Sequence, residues 1–212
     1  MTERSPEYDR AMQRRGRIIA TALMLVVTLP LAAAWFVYYT GIGMPTTQVN
    51  RGDLVSPPQL IDQLEPRELG TDGAWEIGTE ERRRWRYVIP GYATCDQLCQ
   101  DTLYLTRQVH IRLGKDAYRV ERIYLLLDDH IDPALVDWLE TEHPGLRVMR
   151  TEPQALAELL DRTNLRGVDP VASGEYFLMD QIGYLMMRYT PAHTGNELLD
   201  DVKRMLKVTY DE

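Results

Sequence analysis

The sequence predicts an α/β domain, a central mixed sheet with helices on both faces, preceded by one membrane-spanning helix. Three observations carry this expectation. One long apolar run stands near the N-terminus, strand and helix patterns alternate from residue 75 onward, and a hairpin pattern follows late in the chain.

The apolar run is Ile18 to Tyr39, 22 residues without a charge. As a helix it spans about 33 Å, enough for a hydrocarbon core of roughly 30 Å. It ends in Trp35, Phe36, Tyr38 and Tyr39, aromatics suited to a membrane interface, and Pro30 is tolerated within such a span. Arg4, Arg10, Arg14, Arg15 and Arg17 precede it, whereas Arg51 alone follows soon after. Basic flanks stay inside, so residues 1–17 read as cytoplasmic and 40–212 as facing outward. Ala32-Ala33-Ala34 also suits the cleavage site of an export signal, although five further apolar and aromatic residues follow the triplet. Both readings export the domain.

Residues 40–72 are rich in Gly, Pro, Thr and Asp and lack a clear helical period, so they read as an extended tether with Pro57-Pro58 keeping it open. A weak helical turn is expected near 62–69. The domain proper is then residues 73–212. Trp75-Glu76-Ile77 is a short strand candidate, and Trp85–Ile89 is a β-branched and aromatic strand stopped by Pro90-Gly91. A helix is expected over 96–113 with Gly114 at its C-cap. A strand follows over 120–127, apolar enough to lie centrally.

Asp132 and Pro133 open a helix to about Thr141, Leu146–Met149 is a third strand, and Thr151 caps a helix reaching about Leu160. Tyr176–Met179 and Tyr184–Tyr189 form a hairpin around Gly183, and a last amphipathic helix runs over 195–207. The alternating part implies parallel strands with right-handed crossovers, the hairpin an antiparallel edge.

Charge excludes one class of partner. The chain carries −8 overall, and its first 17 residues contribute a local +2, which leaves −10 for the remainder. Nucleic acid needs a basic stripe, and Arg82-Arg83-Arg84, the one basic cluster, reads as a solvated strand edge. No phosphate-binding glycine loop, serine nucleophile elbow or zinc-type histidine pair is present.

The two cysteines of the chain, Cys95 and Cys99, stand four apart just after a strand and at a helix start. On one helical face their sulfurs approach each other, and the helix N-terminus favours a thiolate at Cys95. Such a pair suits thiol–disulfide exchange with Cys95 and Cys99 as the redox pair, or soft ligation of Cu(I). A structural disulfide is the alternative, although so short a loop contributes little stability.

The stretch Tyr92–Cys99 (YATCDQLC), the loop Leu127–Pro133 (LDDHIDP) and the late strand Tyr176–Asp180 (YFLMD) resemble the thioredoxin-like Sco/SenC family. That resemblance covers roughly residues 75–207. It implies a thioredoxin-like fold in the bacterial inner membrane with a periplasmic domain. It also implies thiol–disulfide oxidoreductase-like or copper-delivery work in cytochrome c oxidase assembly, beside a membrane-embedded respiratory oxidase subunit or another assembly factor. The alternative within it is a scaffold with a structural disulfide. Two departures stand out. The family's proline after the first cysteine is absent, and Val171–Glu175 (VASGE) lacks the family's third copper ligand, a histidine. Among the histidines His130 is the best substitute, whereas His110, His193 and His143, placed in a surface-like loop, read as surface residues. Met179, Met186 and Met187 read as packing residues.

Overall fold

The computed structural model describes residues 6–41, 49–70, 75, 77 and 83–208. They fall into two units, Met1–Gln48 and Val49–Glu212. The first holds helix α1 (Pro6–Thr40), with Pro30 inside it. Arg14–Thr40 has mean hydropathy 2.2 within it, long and apolar enough to cross a membrane.

The second unit is a seven-stranded mixed sheet in the order β1-β7-β6-β3-β4-β5-β2. Strands β3 (Trp85–Gly91), β4 (Val120–Leu126) and β5 (Leu146–Arg150) are parallel, and helices α2 (Gln97–Arg112) and α3 (Pro133–Glu142) make the crossovers. After α4 (Pro153–Asp161), strands β6 (Tyr176–Met179) and β7 (Tyr184–Tyr189) form the expected hairpin, antiparallel to β3 through β6. Its turn is held by the Asp180 carboxylate, which accepts from the amides of Ile182, Gly183 and Tyr184. Helix α5 (Gly195–Val208) closes the order.

Every residue of β3 is buried, as a strand covered on both faces requires. Alternate positions feed two cores. Tyr87, Ile89, Tyr124 and Leu126 pack with Leu103 and Val109 of α2, Leu135 and Leu139 of α3, and Leu198 and Val202 of α5. Val88, Ile123, Leu125 and Phe177 pack with Leu156, Leu159 and Leu160 of α4.

The segment expected to be a tether is the main correction. Strand β1 (Asp53–Leu60) pairs antiparallel with β7, a 3-10 turn covers Ile61–Leu64, and β2 (Arg67–Glu68) pairs with β5, so this segment supplies both edges of the sheet. Pro57-Pro58 do keep the backbone extended, but inside a strand. They fall where the β1–β7 register shifts between Leu54 and Gln59, on an edge where a missing amide donor costs nothing. Asn164 binds the outer side there, accepting from the Ser56 amide and donating to the Leu54 carbonyl. Val55, Ile61 and Leu64 are buried, which makes residues 53–68 part of the sheet domain rather than linker.

Smaller differences have local causes. Trp75 and Ile77 lie in no strand, while Glu76 and Arg82 fall outside the described residues. Trp75 is buried under the Arg86 guanidinium, 5.4 Å from its ring centroid. Thr151 does not cap α4, whose N-cap is Glu152, because its hydroxyl donates to the Leu64 carbonyl at 2.6 Å. His143 is 3% exposed rather than on the surface, edge-on to Trp138 and 3.5 Å from an Arg122 nitrogen.

Candidate functional site

The site forms where β3 ends. Pro90-Gly91, expected to stop β3, are its last two residues and still pair with Leu125 and Leu126 of β4, and the chain then turns through Tyr92–Asp96 into α2. The Asp128 carboxylate, just beyond β4, accepts from the Ala93 amide, and the Ala93 carbonyl accepts from the Asp132 amide at 3.1 Å. The loop is thus pinned to the carboxyl end of the neighbouring parallel strand, where open α/β sheets place their sites.

Cys95 and Cys99 are joined by a disulfide, with Cα atoms 5.3 Å apart, an ordinary separation for a bridge. The geometry corrects one part of the expectation. Helix α2 begins at Gln97, so Cys95 precedes it and Cys99 is its third residue. Asp96 is the N-cap, its carboxylate accepting from the Cys99 amide at 2.9 Å. That anion already occupies the positive helix end expected to favour a Cys95 thiolate. Gln100 reaches back to the Cys95 carbonyl at 3.1 Å, so both ends of the bridge are tied to the first turn. Cys95 and Cys99 are half-buried against the α2-side core.

Tyr124 of β4 lies beneath the bridge, its hydroxyl 3.9 Å from the Cys99 sulfur and donating to the Tyr92 carbonyl at 2.8 Å. Burial, then the Asp128 and Asp96 carboxylates, push its pKa up, so the phenol is protonated. Gly91 makes room for it, since a Cβ there would lie 2.1 Å from the hydroxyl oxygen. Tyr92 is more exposed, and burial together with Asp169 and Asp128 raises its pKa too. It lines a cleft of about 300 Å³ with Leu127, Leu156, Val168 and Pro170.

Of the other candidate ligands, none is brought to the sulfurs among the described residues. His130 is exposed, and the His110 ring nitrogen faces the carbonyls of Ala117 and Val120 at 3.0 Å. His193 is taken by Thr190 and the Arg51 carbonyl. Met179 and Met187 are core residues. Just before β6, Gly174 has φ +67° and a Cβ there would lie 2.7 Å from Leu98 of the cysteine loop. The Leu98 side chain therefore occupies the space a side chain at position 174 would need. Tyr124, Gly91 and the Leu98–Gly174 contact escaped the sequence reading. For Tyr124 and Gly91 the signal is one of register: β3 and β4 are parallel with Ile89 opposite Tyr124.

An apolar helix fit to anchor a membrane protein, followed by a thioredoxin-like sheet with a disulfide at its β3–α2 junction, defines the class. The family model described as transmembrane-like, thioredoxin-like, C-terminal domain matches residues 85–209, and the chain belongs to that family. No curated protein matches the sequence. Among solved structures, apo Sco1 from Thermus thermophilus is similar at TM-score 0.53 and 18% identity, over 76% of this chain and 99% of that one. BsSco, a Sco-family cytochrome c oxidase assembly protein described with a disulfide switch, aligns at TM-score 0.51 and 11% identity, over 77% and 100%. Copper-bound ScoI from Bradyrhizobium japonicum aligns at TM-score 0.43 and 21% identity, over 57% and 84%. The fold is Sco-like, and divergent from these proteins in sequence.

Proposed function

We propose that the protein is a membrane-anchored, thioredoxin-like accessory factor that exchanges a disulfide with a membrane-embedded partner during respiratory oxidase assembly. The observation that carries this reading is the Cys95–Cys99 bridge at the carboxyl end of the central strand, half-buried and clipped to one helical turn. Thiol–disulfide exchange needs one attacking sulfur and a second within reach to resolve the mixed disulfide. The basic residues before the apolar run support a cytoplasmic N-terminus and a periplasmic domain at the inner membrane.

Copper handling is a second reading, favoured by the donor chemistry of the pair. After two-electron reduction, Cys95 and Cys99 offer two soft thiolates suited to Cu(I) as cargo. Two thiolates are the donor set this fits, since His110 and His193 are held by other partners.

The test is the full chain with Cys95→Ser and Cys99→Ser together, expressed in place of the wild type. Oxidase assembly is expected to fail while the protein still folds and inserts. Retained assembly overturns both active-thiol readings and leaves a scaffold with a structural bridge. Cys-dependent binding of one Cu(I) by the reduced chain selects the copper reading, and a potential below about −300 mV marks a structural bridge.

A further inference from the structure

We propose that Tyr124 is a positioning residue that stabilises the reduced form of the pair by accepting a hydrogen bond from the Cys99 thiol. The inference rests on the exchange reading above and names the group that sets its direction.

A phenol has one proton and two lone pairs. The Tyr124 proton is committed to the Tyr92 carbonyl at 2.8 Å, so what its oxygen presents to Cys99 at 3.9 Å is a lone pair. A disulfide sulfur has no proton to give, and in the oxidised chain this contact is close to idle. Reduction turns the Cys99 sulfur into a donor with an acceptor already in reach. The hydroxyl therefore favours the dithiol over the disulfide. It also engages Cys99 as the waiting thiol, which leaves Cys95 as the attacking sulfur.

The surroundings keep the hydroxyl in place. Tyr124 is fully buried, its oxygen fits because Gly91 has no side chain, and Gly91 belongs to the strand paired in register with β4. The Asp128 carboxylate fixes the adjoining Ala93 amide, which steadies the loop carrying the Tyr92 carbonyl.

A Cys95 thiolate attacks one sulfur of a partner disulfide, forming a mixed disulfide and releasing one partner thiolate. Cys99 then attacks the Cys95 sulfur, closes the Cys95–Cys99 bond and releases the second partner thiolate. Its proton leaves through solvent to a released thiolate. Two electrons pass from this chain to the partner, whose disulfide is reduced.

The test uses the full chain in detergent micelles, equilibrated in glutathione redox buffers, with the reduced fraction read by alkylation and mass spectrometry. Tyr124→Phe is expected to shift the equilibrium about fivefold toward the disulfide, roughly 20 mV more negative for a two-electron couple. Tyr87→Phe, equally buried in β3, is the control and is expected to leave the equilibrium unchanged. An unchanged equilibrium in Tyr124→Phe, or an equal shift in the Tyr87 control, overturns the proposal. If Tyr124→Phe does not fold, 3-fluorotyrosine at position 124 keeps the ring and weakens the acceptor. It is expected to move the equilibrium the same way by less, and no shift there overturns the proposal as well. The readout involves no oxidase, so it stands or falls apart from the assembly reading.

Discussion

The two ends of the central parallel strands are built on opposite principles. At the amino-terminal end, charge meets charge. Arg86, 1% exposed, binds Glu121 at 3.0 Å, and Glu121 also takes Arg147 at 3.1 Å, which in turn holds Glu68 at 2.9 Å. The chain of four ties β3, β4, β5 and the short edge strand β2 together. At the carboxyl end the polar side chains bind backbone instead. Asp96 takes the Cys99 amide, Asp128 the Ala93 amide and Tyr124 the Tyr92 carbonyl. That arrangement fixes the loop while leaving the sulfurs only weakly engaged. A site that changes redox state benefits from this, because its polar contacts survive when the bridge opens. A buried ion network has no such freedom, since loss of one member weakens the hold on the others.

The largest effect is expected at the charged end. Glu121→Gln keeps the shape of the side chain and removes the carboxylate shared by Arg86 and Arg147. Burial already pulls the Arg86 pKa down, with Glu121 the main opposing influence. The expected loss is about 3 kcal/mol in urea unfolding, the order of magnitude for removing one partner of a buried ion pair. The glutathione equilibrium of the cysteine pair is expected to stay unchanged. A parallel shift in both would show that the two ends are not independent.

A smaller effect is expected at His143, on the same side of the sheet ends as the buried Arg122. Burial first, then the Arg122 and Arg107 guanidiniums, push its pKa down to about 4. The folded chain thus holds a neutral imidazole, whereas the unfolded chain titrates near 6.5. The unfolded state binds the extra proton, so this contribution is complete above about pH 6.5 and is lost as pH falls toward about 4. The slope is at most about 1.4 kcal/mol per pH unit. His143→Asn is expected to flatten that part of the stability profile in melts between pH 7 and 4.5. An identical acid profile in the variant would remove His143 from the account.

What the sequence made legible follows the same division of labour. Residues 85–208 announce themselves through periodicity, because each element buries a whole face. β3 reads as a β-branched and aromatic stretch, and α5 places Leu198, Leu199, Val202 and Leu206 on one stripe. The edges do not. β1 buries only Val55 of its eight residues and carries two prolines, while β2 has two residues, so neither offers a pattern to find. The cysteine pair was visible from its spacing alone. Its setting was not, because Tyr124 and Gly174 meet Cys99 and Leu98 across long sequence separations that only the folded chain brings together. His143 misled for a related reason: His-Pro-Gly reads as a surface turn, and its burial depends on Trp138 and Arg122 folding over it.

The mildest perturbation asks the sharpest question about the sulfur end. Asp96 caps α2 through the Cys99 amide, and removal of such a cap costs about 1 kcal/mol. In the oxidised chain the same turn is also closed covalently, since the disulfide joins the residue before the cap to the third residue of the helix. Cap and bridge therefore restrain the same few dihedral angles. Asp96→Ala is expected to cost less in the oxidised protein, where the bridge still holds the turn, and the full amount after reduction, where only Gln100 remains on the Cys95 carbonyl. Urea midpoints of wild type and variant in both redox states form a closed cycle that measures the coupling. A coupling near zero would mean the first turn of α2 keeps its shape without either restraint, and the bridge would then be free to open at no structural cost beyond the sulfur bond itself.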